Sequence, residues 1–269
     1  MTQVCCMGEL IVDMIGLESG KQVDETSGFL KKFGGAPANT AIGLAKLGIE
    51  VVYMGKVGED PFGDFLIDTL QKNGVDINGV VRDRVAKTTL AFVSLENSGE
   101  RSFTFYRNPG ADEQFSPEEI NEEFLTQAKI FHFGSLLQIR DPSKNATEKA
   151  LKIAKENKTF ISYDPNYREP LWPDKNLPIE TILSTIPHVS FLKINEEEMK
   201  ILTGENNPQK AIEVLRIKDQ LVVITLGEKG CYYYYNGISN YINGFKVDVV
   251  DTTGAGDAFD AGALYGLLP

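Results

Sequence analysis

The sequence predicts an α/β protein with a central, mostly parallel β-sheet, helices on both faces of that sheet, and a small second β-sheet. The first sign is that apolar, strand-like runs alternate with helix-like segments along most of the 269 residues, as in repeated β–α–β units. The second is a period-two alternation over residues 88–107, which is typical of a hairpin. No repeat or linker separates these parts, so we predict one domain over residues 1–269.

Composition narrows the class of protein. The chain is 42% hydrophobic and 24% charged, which is ordinary for a soluble globular domain. Its net charge of −11 argues against nucleic acid or an anionic membrane as a main partner. No basic leader precedes a long apolar stretch, so neither a signal peptide nor a membrane span is predicted. Three cysteines do not make a disulfide framework and fit the reducing cytoplasm, where we expect the protein.

The first half of the chain marks its turns with glycine and proline. Gly8 interrupts the first strand, which is expected to end at Asp13. A double glycine leads into a helix with Pro37 in its first turn and Gly48 at its C-cap. Asp60 caps the next helix. The predicted elements are a strand over residues 4–12, an exposed hairpin over 14–33, a helix from the turn at 34–39, a strand over 51–57 and a helix over 60–72.

The second half continues the alternation after one hairpin. Residues 88–95 and 101–107 alternate with period two around a turn at 97–100, which predicts two antiparallel strands. Further strands are predicted over residues 130–133, 160–163, 189–193, 221–226 and 247–250, and helices over 142–156, 179–186 and 258–268 and from residues 196 and 208.

Residues 251–259 (DTTGAGDAF) carry the strongest chemical signal. A glycine-rich turn between a strand and a helix offers free N–H groups to an anion, and Gly254 and Gly256 let the backbone approach it. Asp257 adds a carboxylate, which an alcohol attacking a phosphate needs as a base. The alternative is an ordinary turn with an Asp that suits the helix dipole. The P-loop motif G-x-x-x-x-G-K-[ST] does not occur in the sequence, and the Rossmann motif G-x-G-x-x-G fails because Phe259 stands where its third glycine would be.

Polar residues also recur where strands are expected to end, at the edge where such sheets bind ligands. They are Asp13; Gly34, Gly35 and Asn39; Asp164 and Arg168; Lys193, Asn195 and Glu198; and Thr225, Gly227 and Gly230. Each has a structural alternative: Asn195 and Glu198 are spaced as a capping box, Asp13 suits a helix cap or a turn, Arg168 suits a surface ion pair, and Gly227 and Gly230 suit plain turns. As a set they supply a base, an anion hole, an arginine and a glutamate able to order Mg²⁺, which phosphoryl transfer to an alcohol requires.

Five segments resemble the ribokinase (pfkB-type) carbohydrate kinase family, and within it the fructokinases. GGAPAN at residues 34–39 resembles the N-terminal signature of the family, and DTTGAGD at 251–257 resembles its C-terminal signature closely. NEEE at 195–198 matches the N-x-x-E element of the family. ERSFTFYRNP at 100–109 and YDPNYREPLWP at 163–173 look like fructokinase segments. The match runs over residues 8–262, and it implies a ribokinase-like fold with a β lid over the sugar.

The resemblance implies catalytic roles for the C-terminal signature. Asp257 would be the base that removes a proton from the primary hydroxyl of the sugar. Gly254, Ala255 and Gly256 would form the anion hole for the transferred phosphoryl group, which Arg168 would contact.

The resemblance also implies a nucleotide site and a metal site, with ATP and Mg²⁺ as cofactors. Asn195 and Glu198 would position Mg²⁺ mostly through water, and Asp251 matches a position near a monovalent-cation site that takes K⁺ in many members. The implied nucleotide-binding residues are Lys193, Thr225, Gly227, Gly230, Gly254 and Gly256.

The sugar site would lie under a lid formed by residues 14–33 and 88–107. Its open strand edges are of the kind that often pair, so we expect a homodimer through the lid. The implied sugar-binding residues are Asp13, Gly34, Gly35, Asn39, Phe105, Arg107 and Asp257.

The leading interpretation is an ATP-dependent fructokinase that makes fructose 6-phosphate. One alternative is another sugar kinase of the family, above all a 2-keto-3-deoxygluconate kinase, in which Arg107 would pair with the carboxylate of the acid. A non-catalytic binding or scaffold relative is the other alternative, although the base and the anion-hole glycines are all present. Family members usually continue beyond the position of Pro269, so we expect this chain to be cut short and its adenine pocket to lack one wall.

Overall fold

The computed structural model describes residues 2–95, 101–249 and 251–268. The strands are β1 Val4–Met7, β2 Ile11–Gly16, β3 Phe29–Gly34, β4 Val51–Gly58, β5 Asp76–Asp83, β6 Thr89–Leu95, β7 Arg101–Tyr106, β8 Ile130–Phe133, β9 Phe160–Tyr163, β10 Phe191–Asn195, β11 Leu221–Thr225, β12 Cys231–Tyr235 and β13 Ile238–Ile242. The helices are α1 Ala36–Lys46, α2 Pro61–Lys72, α3 Glu122–Gln127, α4 Ser143–Glu156, α5 Leu177–Thr185, α6 Glu196–Thr203, α7 Pro208–Leu215 and α8 Ala255–Leu267.

The main sheet has nine strands in the order β13-β12-β11-β10-β9-β8-β1-β4-β5. Neighbours from β5 to β11 pair in parallel, and β12 and β13 extend the sheet as antiparallel strands. Parallel strands connected by helices place all their carboxyl ends at one edge, where the following loops meet. The predicted mostly parallel α/β architecture is confirmed.

Helices cover both faces of this sheet, and the residues of each strand alternate between the two cores. On one face Tyr53 belongs to a core with Leu44 of α1, Leu66 of α2 and Leu264 of α8. On the other face the next residue, Met54, belongs to the core that α3 to α7 cover. Since successive side chains of a strand point to opposite faces, both faces must be apolar, which explains the continuous apolar runs of these strands.

The second sheet is the lid, with four strands in the order β3-β2-β6-β7. Strand β2 pairs antiparallel with β3 and parallel with β6, which pairs antiparallel with β7. The lid therefore begins at Ile11 rather than at residue 14. Asp13 does not end the first strand as predicted but lies within β2, opposite Lys32. The single strand predicted over residues 4–12 is instead two strands in two different sheets, and the predicted turn at 97–100 lies outside the described residues.

The C-terminal part differs most from expectation. Residues 247–249 form no strand, and Val247 and Val249 are exposed; residue 250 is outside the described part. The strands here are β12 and β13, joined at Asn236 and Gly237, whose φ values are 48° and 80°, as a type I′ hairpin turn requires. Strand β5 and helix α3 were also not predicted.

In the described part of the chain, no helix combines the length and the apolar character needed to cross a membrane. All three cysteines are buried and unpaired, two of them adjacent in β1 and one in β12, as expected for buried strand positions.

Candidate active site

A cavity of about 980 Å³ lies where the lid meets the carboxyl ends of the main-sheet strands. Residues from β2, β6 and β7 line it on the lid side, and the loops after β9, β10 and β11 line it on the side of the main sheet. The predicted site residues that line it are Asp13, Gly35, Asn39, Phe105, Arg168, Lys193, Asn195, Glu198, Thr225, Gly227, Asp251, Gly254, Gly256 and Asp257.

Three predicted site residues lie outside this lining and have structural contacts instead. A Cβ on Gly34 would lie 2.6 Å from Oδ2 of Asp13, so Gly34 makes room for that side chain. Gly230 has a φ of +98°, and a Cβ there would lie 1.9 Å from the carbonyl oxygen of Ile242, which fits the alternative of a turn glycine. The N–H of Ala255 donates to the carbonyl of Thr252 at 3.1 Å, so this amide is already used within the turn.

The fourth residue outside the lining is Arg107, which is buried at the root of the lid. Its Nε and Nη2 donate to Oδ2 of Asp112 at 2.9 and 2.5 Å, and Nη2 also lies 3.2 Å from the carbonyl of Leu136. Nη1 lies 3.9 Å from Oε1 of Glu113. Phe105, two residues earlier, does line the cavity and stacks on Phe103 at a centroid distance of 5.9 Å.

Asp257 lies in the first turn of α8 and is buried at the floor of the cavity. Its Oδ2 accepts from Nδ2 of Asn39 at 2.8 Å, and its Oδ1 lies 3.4 Å from Nδ2 of Asn166. Burial raises the pKa of Asp257 to about 6, against the opposing effects of the Asn39 amide, Lys193 and Arg168. The carboxylate is thus oriented by amides and is a stronger base than an exposed Asp.

The turn before Asp257 has the form of an anion site. Gly254 has a φ of +73°, and the first helical bond joins Ala258 N to Gly254 O at 2.8 Å. The N–H groups of Gly256 and Asp257 therefore lie in the unsatisfied first turn of a 13-residue helix, where the dipole favours negative charge. A Cβ on Gly256 would lie 2.9 Å from Nζ of Lys193. The absence of a side chain at Gly256 therefore avoids this close contact and leaves room for an anion to reach the N–H groups.

A buried group of charges lies beneath the turn. Nζ of Lys193 donates to Oδ2 of Asp164 at 2.8 Å and lies 3.8 Å from Oδ2 of Asp260. No group in the described structure donates a hydrogen bond to either carboxyl oxygen of Asp260. Burial, the charge of Asp164 and a hydrogen bond between the two carboxyl groups raise the pKa of Asp260 well above the usual range, so Asp260 is the one that holds the proton. Sequence reasoning did not find Asp260, although its place three residues after Asp257 puts both on one face of a helix.

Asn195 and Glu198 form a capping box at the start of α6, as the structural alternative predicted. Oδ1 of Asn195 accepts from the N–H of Glu198 at 2.8 Å, and Oε2 of Glu198 accepts from the N–H of Asn195 at 2.9 Å. Oε1 of Glu198 accepts from the N–H of Tyr167 at 2.8 Å. Burial, with Asp164 nearby, raises the pKa of Glu198 to about 7. Both residues nevertheless line the cavity.

The residues present fit Mg²⁺ held largely by water and phosphate rather than by a protein cage. Residues 2–95, 101–249 and 251–268 contain no group of three or more His, Cys, Asp or Glu side chains arranged to hold a metal ion. Mg²⁺ usually keeps several waters and takes one or two carboxylates besides the phosphates of a nucleotide. Glu198, whose oxygens are already committed to backbone N–H groups, suits such an indirect contact.

Glu9 lines the same cavity and was not predicted from the sequence. It lies between β1 and β2, and its Oε1 accepts from the N–H of Ala36 at 2.8 Å. Its carbonyl oxygen accepts from the hydroxyl of Tyr53 at 2.9 Å. Burial raises the pKa of its carboxyl group to about 7. A glutamate directly after the glycine that breaks a buried apolar run was the available signal.

The whole chain, residues 1–269, matches the model of the pfkB family of carbohydrate kinases. It is 44% identical over 263 residues to "Probable fructokinase-2" of Arabidopsis thaliana, and the aligned region covers 97% of this chain and 80% of that protein. These similarities agree with the resemblance that the two signatures indicated.

Two solved structures are similar throughout. An uncharacterized sugar kinase from Pyrococcus horikoshii in complex with ATP has a TM-score of 0.89 and 35% identity, covering 98% of this chain and 84% of that one. Fructokinase from Vibrio cholerae O395, bound to fructose, ADP and a calcium ion, has a TM-score of 0.88 and 34% identity, covering 99% and 84%. A double mutant of the Vibrio enzyme holds fructose, ADP and a potassium ion. The ribokinase-like fold is thereby confirmed.

Proposed function

The chain belongs to the pfkB family of carbohydrate kinases, and we propose that it is an ATP-dependent fructokinase. It transfers the γ-phosphoryl group of ATP to the 6-hydroxyl of fructose and releases fructose 6-phosphate and ADP. The observation that carries the proposal is Asp257, a buried carboxylate held by two amides beside a helix N-terminus in the lid cavity. Relatives named fructokinases at 44% identity support the choice of sugar.

Asp257 performs the proton transfer. Its carboxylate accepts the proton of the attacking hydroxyl, and Asn39 and Asn166 hold the carboxyl plane in place through Oδ2 and Oδ1. The N–H groups at the start of α8, with Gly256 leaving the approach open, face the charge that grows on the transferred group. Arg168 lines the same cavity and adds positive charge there. The lid excludes water, which otherwise competes as phosphoryl acceptor.

Mg²⁺ would be held near Asn195 and Glu198 through water, and when bound it neutralises charge on the phosphates. Thr225 and Gly227 line the part of the cavity after β11, where we place the nucleotide. For K⁺ we propose the turn at Asp251, whose Oδ1 accepts from both the N–H and the hydroxyl of Thr253 at 2.9 and 2.7 Å.

A neutral sugar is favoured over a 2-keto-3-deoxy acid. The acid would need a cation to pair with its carboxylate, and Arg107 was the expected partner. The guanidinium of Arg107 instead donates hydrogen bonds to Asp112, and the Arg107 side chain is only 2% exposed. An arginine engaged in this way does not reach a ligand without breaking a buried ion pair.

We further propose a homodimer through the lid and a location in the cytoplasm. Strands β3 and β7 are the two edges of the lid, and open edges are available for pairing. Leu30 on β3 and Tyr106 on β7 are both exposed. Three buried cysteines without a disulfide fit a reducing compartment.

Steady-state kinetics with MgATP tests the function. Sugar-dependent ADP release would be measured with fructose, ribose and 2-keto-3-deoxygluconate side by side, on the full-length protein. The proposal predicts the highest kcat/KM for fructose. A higher value for the acid would reassign the substrate, and no ADP release with any of them in a protein that binds ATP would favour a non-catalytic relative.

A further inference from the structure

We propose that Glu9 is a specificity-determining residue of the acceptor site. Its carboxyl group contacts a hydroxyl of the bound sugar and thereby selects a neutral, hydroxyl-rich acceptor over an anionic one. The inference rests on the proposed sugar kinase activity and deepens it, because it names a residue that distinguishes between acceptors.

Glu9 occupies the junction between the two sheets. Residues 8–10 connect β1 of the main sheet to β2 of the lid, so a side chain here faces the cavity from its hinge side. Glu9 is 3% exposed and still lines the cavity together with Asp13, Asn39 and Asp257. A buried carboxyl group is costly unless it is hydrogen-bonded, so a ligand hydroxyl that enters the cavity finds in Glu9 a group that favours pairing.

The position of Glu9 relative to the base follows from helix α1. Oε1 of Glu9 accepts from Ala36 N, and Asn39, three residues later, donates to Asp257 at 2.8 Å. Residues three apart lie on one face of a helix, with a rise of about 4.5 Å between them. The first turn of α1 therefore contacts both carboxyl groups, Glu9 through the N–H of Ala36 and Asp257 through the side chain of Asn39. A sugar with one hydroxyl at Asp257 presents its other hydroxyls toward Glu9.

The charges near Glu9 suit a hydroxyl and not an anion. Arg107 is the cation whose charge reaches Glu9, and it is paired with Asp112. Asp13 adds a second carboxylate to the same part of the cavity. Burial raises the pKa of Glu9 to about 7, so near neutral pH it is present in both forms. A hydroxyl pairs with both, because it donates to the ionised form and accepts from the protonated form.

Glu9 also caps α1, since its carboxylate accepts a backbone N–H at the helix N-terminus. The test must therefore separate sugar recognition from capping. Glu113 provides a matched control, because it is also buried and its Oε2 accepts from the N–H of Gly110 at 3.0 Å. Glu113 does not line the cavity, so Glu113→Gln removes a similar buried charge without touching the acceptor site.

The experiment compares the wild type, Glu9→Gln and Glu113→Gln in steady-state assays with fructose, 2-keto-3-deoxygluconate and MgATP, together with thermal unfolding. The amide of Glu9→Gln can still bond to a hydroxyl but carries no charge, so we expect the KM for fructose to rise about 5- to 10-fold, the difference between a charged and a neutral hydrogen bond. We expect the KM for MgATP to stay within about twofold of the wild type. The preference for fructose over the acid should fall in Glu9→Gln and stay unchanged in Glu113→Gln.

An unchanged fructose KM and an unchanged preference in folded Glu9→Gln would overturn the inference. So would an equal rise of the fructose KM in Glu113→Gln. If Glu9→Gln does not fold, Glu9→Asp, which keeps the charge but is one methylene shorter, takes its place under the same criteria. A wild type without activity on fructose would be the distinct failure of the proposed function, and it would remove the basis of the inference with it.

Discussion

The protein buries two clusters of charged side chains, and they are built in opposite ways. The lid-root cluster consists of Thr89, Arg107, Asp112 and Glu113, with Arg140 at its edge, so that two arginines face its two carboxylates. Arg107 gives Asp112 two hydrogen bonds, Thr89 donates to the other oxygen of Asp112, and Glu113 accepts from the N–H of Gly110.

The second cluster consists of Asp164, Lys193, Asp257 and Asp260, and its charges are not matched. We call it the catalytic cluster after the role proposed for Asp257. One lysine stands among three carboxyl groups, and it donates only to Asp164, at 2.8 Å. Asp257 has only amide partners, and no group in the described structure donates a hydrogen bond to Asp260. Burial raises the pKa of both Asp257 and Asp260.

The difference shows how burial serves two purposes in one fold. Matched charges hold the lid to the main sheet, since a satisfied buried network fixes geometry. Unmatched carboxyl groups keep a proton acceptor with a raised pKa, which is the property that a general base needs near neutral pH. The catalytic cluster therefore gives up stability that the lid-root cluster retains.

The largest expected effect comes from removing the base. Asp257→Asn keeps the shape of the side chain but cannot accept the proton of the sugar, so kcat for fructose should fall about 10²- to 10⁴-fold. Fructose binding and the thermal midpoint should change little. Rapid-quench assays measure turnover, calorimetric titration measures fructose binding, and thermal unfolding gives the midpoint. Near-normal turnover in this variant would show that Asp257 is not the base, and the two clusters would then not differ in function.

Substitutions in the lid-root cluster should lower the free energy of unfolding rather than the rate of phosphoryl transfer. Arg107→Met leaves Asp112, whose side chain is fully buried, without its cation, and we expect a loss of about 3–5 kcal/mol in the free energy of unfolding. Arg140→Met is the matched control. Arg140 also pairs with Glu113, at 3.2 Å, but is half exposed, so its loss should cost less than about 1 kcal/mol. Urea denaturation compares them, and equal losses would contradict the distinction.

Replacing Asp260 should change the free energy of unfolding, per pH unit, by less than Arg107→Met does, and in the opposite direction. Its folded pKa lies above the unfolded value, so above pH 4 the unfolded chain releases a proton that the folded chain retains. The wild type therefore loses stability as pH rises until Asp260 ionises in the fold. Asp260→Asn lacks this proton, so its free energy of unfolding should gain on that of the wild type above pH 4, by about 1.4 kcal/mol for each pH unit over which Asp260 stays protonated in the fold. A difference independent of pH would mean that Asp260 is not held protonated.

The core of the fold was readable from the sequence because buried parallel strands are continuous apolar runs. The peripheral strands were not. In β5, polar Asp76, Asn78 and Arg82 interrupt the apolar residues, because a strand at the edge of the sheet meets solvent. The exposed Val247 and Val249 mimic a buried strand in composition alone. The hairpin of β12 and β13 was not predicted either, although Asn236 and Gly237 were an available signal, because this pair favours the two positive φ angles of its turn.

The site was readable where a residue belongs to a local motif. The start of α8 and the capping box of α6 are set by neighbours in sequence, so Asp257, Asn195 and Glu198 could be placed. Glu9 and Asp260 depend on contacts between distant segments, as with Glu9 and Ala36. Arg107 shows the same limit, because its partner Asp112 comes from the segment after the lid, and nothing in the hairpin pattern indicates that pairing.

The most direct test of the account is the pH dependence of kcat/KM for fructose with MgATP, in the wild type and in Asn39→Ala. The account predicts that activity falls as pH drops through about 6, where Asp257 becomes protonated. Asn39→Ala should move this limb to higher pH, because the amide of Asn39 stabilises the ionised carboxylate. A profile that stays flat from pH 5 to 8, or a limb that Asn39→Ala does not move, would contradict the assignment of Asp257 as the base.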